Sequence, residues 1–111
     1  MEFKTQLKTV DVTIDGKQYK LRETDGDKAA KYRNAVLDCM IMGPDGTPRG
    51  SKNLANTESM LVGLCLVDED DNPVDLKKIR SWPNSVVAAL AAEAKRISGL
   101  NMEEADPTLG N

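Results

Sequence analysis

The stretch from Ser81 to Leu100, SWPNSVVAALAAEAKRISGL, constrains the fold most, because it holds a start signal, an apolar stripe and a stop signal together. Pro83 suits a first helical turn, where a missing N–H costs nothing, and Asn84 or Ser85 is the expected cap for the free donors there. Val86, Val87, Leu90, Ala94 and Ile97 recur at spacings of three and four, which places them on one face. Gly99 predicts the stop, since only glycine enters the left-handed region without a Cβ clash, and Leu100 is positioned to fold back on the last turn. Such a helix is roughly 25 Å long, the width of a small domain. Trp82 stands just ahead of it and is expected to anchor its start.

A second signal lies upstream, in Lys8 to Arg22, KTVDVTIDGKQYKLR. Val10, Val12 and Ile14 alternate with polar residues, and Tyr19 and Leu21 do the same beyond Asp15-Gly16, a pair that favours the tight turn of a β-hairpin. Two strands alone are marginal in water, so this hairpin must lie on helices or pair with another copy.

Between these elements the pattern is helical. Thr24-Asp25-Gly26-Asp27 offers capping carboxylates to a first helix, KAAKYRNAVLDCMIM, with Ala29, Tyr32, Val36, Cys39 and Met40 on one stripe and Met42 near its end. That end, with Leu37, Ile41 and Met42, is apolar nearly all round, which predicts burial on more than one side. Gly43 to Gly50 reads as a flexible loop. It does not match a phosphate-binding loop, because the order Gly50-Ser51-Lys52 is wrong and no strand precedes it. Asn53 to Val67 reads as a helix rather than a buried strand, from Leu54, Leu61 and Leu64 at spacings of seven and three, although Gly63 weakens it by about 1 kcal/mol. Val74, Leu76 and Ile79 predict one or two helical turns before Trp82. The expected class is α+β, a mainly α-helical small domain with an N-terminal β-hairpin. One globular domain is expected over residues 1–100 and a mobile acidic C-terminal tail over 101–111, where Glu103, Glu104 and Asp106 accompany few apolar residues.

Several chemistries have no residues to carry them. There is no histidine in the 111 residues, so zinc sites of the usual kinds and histidine acid–base work are absent. Cys39 and Cys65 lie in apolar runs with no metal-ligand spacing, and buried free thiols fit a reducing compartment. Asp68, Asp70 and Asn72 match the first ligand positions of a calcium loop, but Pro73 stands where the bend needs glycine and Ile79 where the bidentate glutamate belongs. A solvated turn is the expectation. A net charge of −3 argues against nucleic acid. The longest apolar run, Met60 to Val67, is far short of a membrane span, and no signal peptide is recognisable at the start. No catalytic, cofactor or metal residue is assigned, and the chain is expected not to be an enzyme but to bind other proteins. Two places stand out for contact. Ala88, Ala89 and Ala92 fill the helix face opposite the core stripe with small side chains that admit a neighbouring helix, and Met40 and Met42 offer adaptable apolar surface.

The order of elements and three strings resemble the tail assembly chaperones of long-tailed bacteriophages. The strings are GKQYKLRE from Gly16 to Glu23, the apolar run into acid LVGLCLVDEDDNPV, and the Ser-Trp-Pro step into a helix ending Ser98-Gly99-Leu100-Asn101. The likeness runs from about residue 8 to 111, and Gly43 to Lys52 contributes least to it. It implies a non-structural protein of the host cytoplasm that binds the tape measure protein, keeps it soluble and recruits tail tube subunits, sometimes with a frameshifted longer form. Self-association along the partner is a further expectation. The alternative, motivated by the open edges of the hairpin, is a virion structural component such as a tail completion or tube-end subunit. A small DNA-binding regulator is disfavoured by the acidic charge.

Overall fold

The computed structural model describes residues 1–52 and 55–100. Leu54 and the whole of 101–111, on which some of the expectations above fall, lie outside the described residues. The element order is β1 (Thr9–Ile14), β2 (Lys17–Arg22), α1 (Gly26–Asp38), β3 (Met40–Met42), β4 (Pro48–Ser51), α2 (Ala55–Cys65), β5 (Leu66–Asp68), α3 (Leu76–Arg80) and α4 (Asn84–Ser98). The class is α+β, with the hairpin at the N-terminal end as the sequence predicts.

Asp15 and Gly16 both take positive φ, 52° and 79°, which is what a two-residue hairpin turn requires. The turn sets the register Ile14↔Lys17, Val12↔Tyr19 and Val10↔Leu21. Val10, Val12, Ile14, Tyr19 and Leu21 therefore share one face, and it packs on the helices. β5 joins β2 on its other side, Leu66 opposite Leu21, to give a three-stranded antiparallel sheet in the order β1-β2-β5.

α2 fills the centre. Leu61, Val62 and Cys65 are almost fully buried, and the helix meets α4, α3, α1 and β2. It ends sooner than the sequence pattern suggests. Leu66 to Asp68 leaves the helix and enters the sheet, because the backbone edge of β2 at Tyr19–Leu21 is there to pair with it.

On α4, Val87, Leu90, Ala94 and Ile97 are buried, as the periodicity requires, and so is Ala91. Val86 is only half-buried. The start differs from expectation: Pro83 is itself the cap residue, and neither Asn84 nor Ser85 caps the helix with its side chain. The Pro83 carbonyl accepts the N–H groups of both Val86 and Val87 instead, at 3.0 and 3.2 Å. At the other end Gly99 has φ 69°, and Leu100, buried, donates its N–H to the Lys95 carbonyl at 2.8 Å. Trp82 meets the Tyr19 ring edge-on, centroids 6.0 Å apart, and so ties the helix start to the sheet.

α1 departs further from expectation, as do the residues after it. Asp25 caps α1, its carboxylate accepting the Lys28 N–H at 2.9 Å, but the helix stops at Asp38. Met40, Ile41 and Met42, expected as helical and buried on several sides, form an exposed strand. Gly43 to Gly50 is not a loop throughout, since Pro48–Ser51 pairs with that strand as a separate two-stranded arm. Pro44-Asp45-Gly46 makes the turn, with Gly46 at φ 82°, and pairing across it satisfies backbone groups that a fraying helix end would leave open.

Two glycines test how local geometry is stabilised. A Cβ on Gly63 would meet Leu76 and Ile79 methyls at 3.6 and 3.8 Å, an ordinary contact. Gly63→Ala is expected to raise stability by about 0.5–1 kcal/mol, the helix-interior preference for alanine. Gly99→Ala has open space but a left-handed φ, and is expected to cost about 1 kcal/mol or more. Denaturant midpoints of the two variants should move in opposite directions.

Candidate interaction surface

Apart from Met1 and Phe3 near the N-terminus, the large apolar residues left exposed among the described residues gather at one place. Leu37 is 65% exposed, Met40 39%, Ile41 45% and Met42 55%, all at the end of α1 or on β3. Along a strand, side chains alternate, so Met40 and Met42 project from one face of the arm and Ile41 from the other. Both faces are open. The arm is held by its own bonds: Gly43 donates to the Thr47 carbonyl at 2.8 Å, Gly46 to the Gly43 carbonyl at 3.0 Å, and Lys52 to the Cys39 carbonyl at 2.8 Å. Asp45 braces the turn, accepting from the Thr47 hydroxyl at 2.7 Å and its amide at 3.1 Å, and these bonds hold its carboxyl below the usual carboxylate range. Gly43 leaves room for the Arg49 side chain, which lies where a Cβ would otherwise stand. A two-stranded sheet with three exposed apolar side chains and nothing packed over them among the described residues is marginal alone, which makes it a candidate surface for another molecule.

The alanine face of α4 is a different surface. Ala89 and Ala92 are exposed and Ala88 half-buried, while the neighbouring Ala91 and Ala94 are sealed within the core that α4 forms with α2. Part of the alanine run thus serves internal helix packing, where small side chains let α2 and α4 approach closely. Met40 and Met42 sit on the arm and Ala88, Ala89 and Ala92 on α4, so the five residues named from sequence fall on two separate elements. Ile41 and Leu37 are the additions the structure makes to the set.

Among the described residues, several of the groups capable of chemistry are engaged in local bonds. Asp68 accepts the N–H groups of Asp70 and Asn72, each at 2.9 Å, and Arg22 pairs with Asp71 at 2.8 Å, so the acidic run is a self-braced turn. Beside it an open cleft of about 540 Å³ is lined by Lys17, Tyr19, Glu69, Asp70, Asp75 and Lys78 among others. Asp75 is occupied in capping α3, and Lys78 lies 5.9 Å from the Tyr19 ring centroid. Burial pushes the Cys65 thiol up to about 11, against the smaller opposing effects of Lys28 and Ser98, which makes it a poor nucleophile. No helix among the described residues is long and apolar enough to cross a membrane.

No protein-family profile matches this sequence, and no curated protein matches it. The structure is similar to that of the bacteriophage HK97 tail assembly chaperone, with a TM-score of 0.57 over 82% of this chain and 85% of that one. Identity across the match is 18%, so what the two share is the fold.

The Cys65 thiol supplies a test of the buried centre. Its folded pKa lies above the unfolded value near 9, so the neutral thiol's contribution is complete below about pH 9 and is lost as pH rises toward 11. Stability should fall over that interval more steeply in the native chain than in Cys65→Val, read from denaturant midpoints. Alkylation of Cys65 at about pH 8 should proceed only through unfolding.

Proposed function

Starting from a fold shared with a bacteriophage tail assembly chaperone, we propose that this chain is itself one: a non-structural protein that binds the tape measure protein and helps recruit tail tube subunits in the host cytoplasm. The shared fold is the observation that carries the reading. The exposed arm supports it physically. A tape measure presents long apolar helical faces, and Met40, Ile41 and Met42 are exposed apolar side chains gathered at one place. Methionine is unbranched and polarizable, so it conforms to a series of differing side chains rather than to one pocket. Ala89 and Ala92 offer a second, flatter contact at which a helix can approach closely.

The alternative, a structural subunit of the tail, draws on β1. Its outer edge is unpaired within the sheet, and an open edge can extend into a neighbour's strand. Mature particles distinguish the two, since a chaperone leaves before completion and a subunit remains.

Co-expression with the tape measure protein of the same genome should raise that partner's soluble yield and bring the two down together. Ile41→Asp with Met42→Asp should weaken co-purification at least about tenfold while moving the denaturant midpoint little, because exposed positions outside the core change stability by about 0.5 kcal/mol or less. No gain in solubility and no co-purification would overturn the reading.

A further inference from the structure

The dipeptide Asp-Gly occurs three times, as Asp15-Gly16, Asp25-Gly26 and Asp45-Gly46, each time at a turn or a helix start. Its chemistry is general. The glycine amide nitrogen, with no Cβ beside it to hinder approach, attacks the γ-carbon of the preceding aspartic acid. The N–Cγ bond forms, the Cγ–OH bond breaks, and the hydroxyl leaves as water with the amide proton. Solvent water then opens the succinimide ring at either carbonyl, which restores aspartate or leaves isoaspartate, whose main chain runs through the β-carbon. No oxidant, reductant or further reactant enters. The step needs a carboxyl group in its protonated form and free to turn, an amide nitrogen not already donating, and a peptide plane that can rotate.

Two of the three pairs are tied. Asp25 accepts the Lys28 N–H on its carboxylate at 2.9 Å and the Ala29 N–H on its carbonyl at 2.9 Å, so both its side chain and the peptide plane it shares with Gly26 are held by the first turn of α1. Asp45 accepts from the Thr47 hydroxyl and amide and lies 3.7 Å from Arg49, which keeps it ionised, and a carboxylate is a poor electrophile. The nucleophile there is engaged as well, since the Gly46 N–H donates to the Gly43 carbonyl at 3.0 Å. Asp15-Gly16 is different. Both residues are exposed, and among the described residues neither the Asp15 carboxyl and carbonyl nor the Gly16 N–H has a hydrogen-bond or ion-pair partner.

We infer that Asp15-Gly16 is the isoaspartate-forming site of the folded protein, and that its product is an exposed substrate for a methyltransferase that esterifies isoaspartyl carboxyl groups. The consequence reaches the core. Isoaspartate adds one main-chain atom to a turn of two residues, and that turn sets Val12 opposite Tyr19 and Val10 opposite Leu21. Tyr19 and Leu21 are both buried, and a changed turn length pulls the register that keeps them on the core face. The hairpin thus carries a slow covalent change, driven by water alone, that loosens the sheet it belongs to.

The test ages the full chain at mildly acidic pH under native conditions and, in parallel, in denaturant. Trypsin then places each pair on its own peptide, 9–17, 23–28 and 34–49, and isoaspartate is counted on each by enzymatic methyl transfer from S-adenosylmethionine. In the folded chain it should accumulate on the first peptide at least about threefold faster than on either of the others, because each hydrogen bond that must open first lowers the reactive population by about that factor. In denaturant the three rates should converge. Equal rates in the folded chain, or a lead at Asp25 or Asp45, would overturn the inference, and so would a ranking that survives denaturation. Thr47→Val, which takes the hydroxyl from the Asp45 carboxylate, should raise isoaspartate at Asp45 and leave Asp15 unchanged; no rise would overturn the protection argued for that turn. The fraction isomerised at Asp15, separated from its parent chain, should unfold at lower denaturant concentration, and an unchanged midpoint would overturn the effect on register.

Discussion

The burial of α2 is the constraint on which the remaining elements depend. Its second half, Met60 to Cys65, is apolar on nearly every side and has no polar face to turn toward water, so it has to be enclosed. α4 covers it through Ala91 and Ala94, α3 through Ile79, α1 and β2 from the remaining directions. The sheet then gains its third strand because α2 delivers Leu66 directly to the edge of β2. Enclosure also explains the state of Cys65, whose thiol sits where a charge would find no water.

Elements whose signals are local were legible in the sequence. The Asp15-Gly16 turn, the Asp25 cap and the Gly99 stop each act through one or two residues and their own backbone, and each stands where the sequence puts it. The α2–β5 boundary was not, since nothing within LCLVD distinguishes a continuing helix from a strand; the deciding group is the free edge of β2, far away in sequence. The arm failed for a related reason. Met40, Ile41 and Met42 continue the apolar spacing of α1, and only pairing with residues 48–51 across Pro44-Asp45-Gly46 shows them to be a strand. That turn carries a recognisable signature, but strands of three and four residues give too short an alternation to read beside it.

The same failure reshaped the candidate surface. Sequence pattern identified Met40 and Met42 as adaptable apolar residues but made them part of a buried helix end, which would have hidden them. In the structure they are open because the strand carries them away from the core. The alanines divide the other way: composition alone marks a run of small residues on α4, and only the position of α2 decides that Ala91 and Ala94 face inward while Ala89 and Ala92 do not.

A core that closes without the arm frees the arm's sequence from the demands of packing. Tyr19, Leu21, Leu61, Val62, Ile79, Leu90 and Ile97 enclose one another with no contribution from Met40 to Met42. Replacing those three with polar residues would lose little burial in this molecule and would remove exposed apolar area that favours aggregation. Stability therefore gives no reason for them to be apolar. Their apolar character is what the proposed contact with a partner's helix would use.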